Sequence, residues 1–143
     1  MRDRNWGAIT DGATFEALVA RLVFFEDPKA MLFERLGRDG GEDMRSSDGA
    51  CVFQAKHHQS PSAAKAIADA KREASKIASY REPGHERYAQ WQGVTHWRLV
   101  TNALFNPTDQ ERWDDEVIPV FRSQGLIAEY WGRSQLDALL DKH

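Results

Sequence analysis

The sequence is short of cysteine and of long apolar runs. Cys51 is the one cysteine among 143 residues, so no disulfide can form within the chain, as is usual in a reducing cytosol. No stretch approaches the roughly 20 consecutive apolar residues that span a bilayer, and the first residues lack the apolar core of a signal peptide. These absences argue against a disulfide-stapled fold and a membrane partner, and they predict a cytoplasmic location.

The sequence also lacks an excess of basic charge. Its 19 Lys and Arg side chains stand against 22 Asp and Glu, a net charge of −3, whereas domains that bind nucleic acid are usually basic. The distribution is uneven, because residues 56–81 carry six basic and two acidic side chains, a net charge of +4. Acidic segments lie on both sides, with −3 over residues 1–55 and −4 over residues 107–143. The basic segment suits either a phosphate-contacting surface or an ordinary solvated helix, and both interpretations stay open.

Length and composition predict one folded domain over residues 1–143. A hydrophobic fraction of 41% supplies enough apolar material for a core, and one domain typically comprises about 100–200 residues. The last amphipathic pattern stops at Leu140-Asp141-Lys142-His143 without a cap. We therefore expect the N-terminal module of a longer multidomain protein, with a natural terminus as the alternative.

Hydrophobic periodicity in the first half predicts a helix followed by three strands. The helix, capped by Thr14, should end near Glu26. Extended segments follow at 31–36, 43–46 and 50–56, and Asp48-Gly49 should form the hairpin turn between the last two.

The second half alternates helices and strands. A helix over 62–80 should be capped by Ser62 and pack through a stripe of small residues that includes Ala64 and Ala78. Strands at 97–101 and 126–131 alternate with helices that begin at Thr108, which has capping-box spacing to Glu111, and near residue 134. The order α, three β, α, β, α, β, α predicts an α/β fold with a mixed β-sheet flanked by helices on both faces.

Four polar residues converge on one end of the predicted sheet. Asp43 begins the second strand, and Gln54 and Lys56 end the third, where the two-residue period puts both on the same face. Glu16 borders the apolar stripe of the first helix, from which it can lean over the same strand ends.

These residue types suit metal-assisted hydrolysis of a phosphodiester. Mg²⁺ prefers oxygen ligands and usually takes one or two protein carboxylates together with waters and phosphate oxygens. Asp43 would be the main ligand, with Glu16 as a second carboxylate and Gln54 contributing its amide oxygen. Lys56 would orient the attacking water and stabilise the charge that grows on the transition state. The basic helix that follows would then track the DNA backbone.

The sequence resembles a known nuclease family. The segments that carry the resemblance are FEALVARL, GRDGGED, VFQAKHH and WRLVTN. They are similar to the restriction-endonuclease-like PD-(D/E)xK nucleases, in the Mrr-type branch that uses Gln-x-Lys. A narrower resemblance, through Trp6, residues 39–43, residues 54–56 and a TN-x(3)-NP stretch, is to the N-terminal nuclease modules of antiviral STAND NTPases (Avs).

The resemblance implies a restriction-endonuclease-like core and a divalent-metal-dependent DNA endonuclease. By position, Asp43, Gln54 and Lys56 match the catalytic motif, and Glu16 matches the helix carboxylate. It further implies Mg²⁺ (or Mn²⁺) as cofactor, and downstream NTPase and sensor domains that regulate the nuclease in bacterial anti-phage defence. Two departures leave the metal affinity open. Glu42 stands where the founding motif has proline, and Gln54 replaces an acidic ligand.

The predicted substrate is double-stranded DNA, cut with little sequence preference. Candidate backbone contacts are Lys65, Arg72, Lys76 and His57, and no base-reading motif is evident. Cutting both strands requires two active sites, so we expect a homodimer or a higher assembly. Two alternatives remain: a catalytically silent DNA-binding or assembly module of the same fold, and a stand-alone Mrr-like type IV restriction enzyme. Cys51, within an apolar run, is expected to be inert core.

Overall fold

The computed structural model describes residues 5–32 and 44–143. The remaining residues include Asp43, the predicted main metal ligand, together with Asp39, Glu42 and the glycines of the preceding turn. The predictions made for those residues therefore lie outside the described part of the chain.

The described strands form one mixed five-stranded sheet in the order β1-β2-β3-β4-β5. Strands β1, β2 and β3 pair antiparallel, whereas β3, β4 and β5 pair parallel. The bounds are β1 Met31–Leu32, β2 Met44–Arg45, β3 Cys51–Lys56, β4 His96–Thr101 and β5 Ile127–Trp131. The predicted α/β class with a mixed sheet is confirmed. So is the hairpin turn between β2 and β3, in which Gly49 adopts a φ of +75°, a left-handed conformation that glycine takes without strain.

The helices follow the predicted order, with additional short elements. A single 3₁₀ turn, Trp6–Ala8, comes first. The α-helices are α1 Gly12–Glu26, α2 Ala63–Tyr80, α3 Tyr88–Trp91, α4 Pro107–Glu116, α5 Ile118–Arg122 and α6 Arg133–Lys142. The helical segment around Pro119 is divided into α4 and α5, because proline disrupts the hydrogen bonds of a helix interior. No helix in the described part of the chain is long and apolar enough to cross a membrane.

Two of the predicted helix caps are wrong. Helix α1 is capped by Asp11, whose carboxylate accepts a hydrogen bond from the backbone N–H of Thr14 at 2.7 Å. Helix α4 begins after Asn106, which forms a reciprocal capping box with Asp109. Ser62 does cap α2, as predicted, by accepting from the N–H of Lys65.

Helices cover both faces of the sheet, and each face has its own hydrophobic core. On one face α2, α4 and α5 pack against Val52, Trp97 and Leu99. On the other face α1 and α6 pack against Phe53 and Val100. Side chains alternate between faces along a strand, so the two cores divide β3 and β4 between them.

Candidate active site at the end of strand β3

Gln54 and Lys56 project from the face of the sheet that α2 covers. Gln54 is fully buried, whereas the side chain of Lys56 is 28% exposed at the end of the strand. Both contact Glu73 of α2, so the predicted common face is correct. The site therefore lies between the end of β3 and α2.

Glu73 is the centre of this site, and its side chain is only 2% exposed. One of its oxygens, Oε1, accepts a hydrogen bond from Nε2 of Gln54 at 2.8 Å. The other, Oε2, lies 3.4 Å from Nζ of Lys56 and 3.3 Å from Nζ of Lys76. A buried carboxylate needs such compensation, because an isolated charge is strongly disfavoured away from water.

The amide of Gln54 is held at both ends. Besides donating to Glu73, it accepts a hydrogen bond at Oε1 from the indole Nε1 of Trp97 at 3.2 Å. The amide oxygen is the atom that the sequence assigned to a metal ion. This oxygen accepts from Trp97, and its role as a metal ligand stays a prediction. Glu73 is the carboxylate nearest to Lys56 among the contacts described.

A second buried carboxylate lies one helical turn before Glu73. Asp69 contacts Nε2 of His58 at 2.6 Å and Nη2 of Arg72 at 2.8 Å. Residues 69 and 73 fall on the same helix face as the buried residues Ala66, Ala70 and Ile77. Two acidic residues at the helical spacing of the buried residues of α2 are the sequence signal that could have revealed this site. The expected stripe was built from small and apolar residues alone and therefore left out both acids.

Helix α1, which carries Glu16, packs on the face of the sheet opposite to α2. Phe15, the neighbour of Glu16, is buried in the core of that face, together with Phe53 and Ala55. Glu16 itself is half-buried on α1. Its role as a second carboxylate stays a prediction, as does that of Asp43, which lies outside the described residues. Across residues 5–32 and 44–143, no group of three or more His, Cys, Asp and Glu side chains is placed to hold a metal ion.

Most cations of the basic segment already contact a partner within the protein. Arg72 and Lys76 pair with the buried acids Asp69 and Glu73, and the ammonium group of Lys65 donates to the carbonyl of Ser60. Lys71 pairs with Glu116 of α4 at 2.6 Å. The surface predicted to track DNA therefore carries cations that already have partners.

Of the two adjacent histidines, His58 rather than His57 joins the acids of α2. Nε2 of His57 lies 3.1 Å from the carbonyl oxygen of Ile9, and its ring packs against Phe15. His57 therefore faces α1, and its predicted contact with a DNA phosphate has no support from this geometry.

Cys51 begins β3 and packs, half-buried, against the core beneath α1. Burial raises the pKa of its thiol to about 11, because the thiolate loses solvation. The expectation of an inert thiol agrees with this environment.

Comparison with known proteins gave no match. No family model, no curated protein and no solved structure matches this chain.

Proposed function

We propose that this domain is a metal-dependent endonuclease that cuts double-stranded DNA with little sequence preference, built on a restriction-endonuclease-like core. The observation that carries the proposal is the position of Lys56. Its ammonium group is partly exposed at the end of a central strand and lies 3.4 Å from the buried carboxylate of Glu73. A lysine fixed in this way presents a cation at a defined point where a phosphate or an attacking water can approach.

The oxygen ligands for a metal ion would come from two carboxylates. Glu73 lies beside Lys56, and Asp43 directly precedes Met44, which pairs with Phe53, the neighbour of Gln54. Mg²⁺ needs only one or two protein carboxylates, so these residues fit its chemistry. When bound, the ion would act as a Lewis acid on a phosphate oxygen. Gln54 would fix the orientation of Glu73, and Lys56 would orient water and stabilise negative charge.

A catalytically silent DNA-binding or assembly module is the second candidate. The bonding of Gln54 favours it, because both ends of the amide are engaged within the protein. The charge of Glu73 is likewise compensated by two lysines. Metal binding at Glu73 would require at least one of these lysines to move.

A plasmid-cleavage assay separates the two functions. With Mg²⁺ or Mn²⁺ we expect the protein to nick or linearise plasmid DNA, and Lys56→Ala and Asp43→Ala to reduce the rate by about 10²-fold or more. Lys71→Ala is the matched control, since Lys71 pairs with Glu116 away from the site, and it should retain activity. Equal cleavage by the wild type and both site variants would contradict the assignment. Salt-sensitive DNA binding without cleavage would favour the silent module.

The resemblance of the sequence also motivates the biological setting. We propose that the nuclease is the effector module of a longer protein, in which downstream NTPase and sensor domains control assembly during bacterial defence against phage. Assembly into a dimer or higher oligomer would bring together the two sites that a double-strand cut requires.

A further inference from the structure

A cleft of about 370 Å³ opens where the parallel strands of the sheet end. Its wall combines the segment after β3, represented by His58, with Asn102 after β4 and Arg133 after β5. Trp6, in the 3₁₀ turn that precedes α1, also lines the cleft. Open α/β sheets commonly bind ligands outside the carboxyl ends of their parallel strands, and this cleft has that position.

Arg133 is the cation of this cleft. Its Nε is buried and has no hydrogen-bond partner among the described residues. The guanidinium group also forms no ion pair with the other described residues, unlike that of Arg72, and Arg122 resembles it in this respect. Arg133 also lines the cleft, so the guanidinium N–H groups that face it can donate to an anionic group that enters.

The rest of the lining suits an anionic ligand. None of the described lining residues is acidic, and Asp69, which contacts His58, is already engaged by Arg72. The side chain of Asn102, which also lines the cleft, donates to the carbonyl of His58 at 2.7 Å and accepts from its N–H at 3.2 Å. The ends of β3 and β4 are thereby tied together, which fixes one wall of the cleft.

Trp6 gives the cleft an aromatic surface. It is half-buried, and its indole N–H donates to Asp137 of α6 at 3.1 Å. Trp6 and Arg133 line the same cleft, and an aromatic ring together with a guanidinium group can accept a base or sugar next to a phosphate.

We infer that this cleft binds a nucleotide phosphate of a DNA strand, with Arg133 as the phosphate contact and Trp6 beside the adjoining sugar or base. The inference rests on the proposed nuclease function. Lys56 ends β3, and the segment that lines the cleft begins two residues later, at His58. A strand held by Arg133 would thus pass close to the candidate active site.

The test measures binding of a short DNA duplex in EDTA, where no metal-dependent cleavage occurs. We expect Arg133→Gln to weaken binding by roughly tenfold and Arg133→Lys to weaken it less, because lysine keeps the charge but not the planar fork. Arg122→Gln is the control, since it removes the same charge from an exposed position on α5, before β5 begins. Thermal unfolding of each variant checks that it is folded. Equal affinity of Arg133→Gln, Arg122→Gln and the wild type would overturn the inference.

NMR titration of the ¹⁵N-labelled protein distinguishes the sources of the phosphate. The duplex should shift the indole signal of Trp6 and the Nε signal of Arg133, and inorganic phosphate should shift Arg133 alone and more weakly. A response to a free deoxynucleoside monophosphate but none to the duplex would overturn the assignment to a DNA strand. Because these measurements contain no metal, they stand apart from the cleavage assay. If the nuclease proposal is wrong, the plasmid-cleavage assay will show it as cleavage that Lys56→Ala does not reduce.

Discussion

At the scale of single residues, we expect Glu73 to stabilise the fold whether or not the domain is a nuclease. Its carboxylate is almost fully buried and receives Gln54, Lys56 and Lys76. Such a group joins α2 to the end of β3, and it also fixes the ammonium group of Lys56. The same contacts therefore serve stability and the proposed chemistry, and the two effects have to be measured separately.

We predict that Glu73→Ala lowers the free energy of unfolding by about 2–3 kcal/mol, because the buried amide of Gln54 loses its acceptor and two cations lose their partner. Glu73→Gln should cost less, since its amide oxygen can still accept from Gln54. Urea denaturation at neutral pH measures both. Glu111→Ala, at an exposed position on α4, is the control and should change stability by less than about 0.5 kcal/mol. A loss no larger than that of the control would show that the contacts of Glu73 are not stabilising.

The thiol of Cys51 provides a prediction about pH. Its pKa is raised from the ordinary 9.0 to about 11 by burial, and the thiolate is the reactive form. Alkylation of Cys51 by iodoacetamide should therefore be slow at pH 8. Its rate should rise with pH until the pH reaches the pKa of this thiol in the folded protein. The reference is the same chain unfolded in urea, where the thiol should react much faster at pH 8. Equal rates in the folded and unfolded chains would contradict the assigned burial.

At the scale of secondary-structure elements, the N-cap of α4 differs between the sequence prediction and the structure. Thr108 has the spacing of a capping box in the sequence, but the structure uses Asn106 and Asp109, with Pro107 in the first turn. We predict that Asn106→Ala destabilises the protein by about 1 kcal/mol, because the N–H of Asp109 loses its acceptor. Thr108→Ala should have almost no effect, since its hydroxyl caps nothing here. Thermal unfolding compares the two, and a larger loss from Thr108→Ala would restore the cap indicated by spacing alone.

The elements themselves were predictable because hydrophobic periodicity reports them directly. The helix over 62–80 and its Ser62 cap are both correct. Boundaries were harder, since several neighbouring Ser, Thr, Asp and Asn residues can each cap a helix, and only packing decides among them. The need for tertiary information also explains why the burial of Asp69 and Glu73 was not predicted. Acidic residues are rarely buried, so no burial was predicted for them, and only the tertiary contacts identify it.

At the scale of the whole molecule, the arrangement of the site depends on which helix covers which face. Period two places Gln54 and Lys56 together, and a right-handed crossover between parallel strands constrains the helix that joins β3 to β4. Because β3, β4 and β5 follow each other in one direction, both crossovers carry their helices to the same face. No such rule fixes α1, which precedes the sheet. The prediction that Glu16 shares the site of Lys56 therefore had no topological basis.

The charge of the whole molecule leads to a prediction about DNA binding. The net charge is −3, and the cations of the +4 segment are largely paired with carboxylates or carbonyls of the protein, most of them on α2 and α4. Each phosphate contact contributes a slope of about −0.9 to the dependence of log K on log salt. We expect the isolated domain to bind duplex DNA weakly, with a total slope between about −1 and −3. Fluorescence anisotropy of a labelled duplex across a salt series measures it.

The pairing of the cations also predicts the effect of a divalent ion. Ca²⁺ binds oxygen ligands as Mg²⁺ does, so it should tighten duplex binding by supplying positive charge at the carboxylates of the site. Asp43→Ala should reduce this gain, whereas Glu111→Ala, an equal change in charge at an exposed position, should not. A slope as steep as about −6 without any divalent ion would show that the lysines and arginines of α2 leave their internal partners for the DNA. In that case the basic segment, rather than the site at the end of β3, would dominate the interaction.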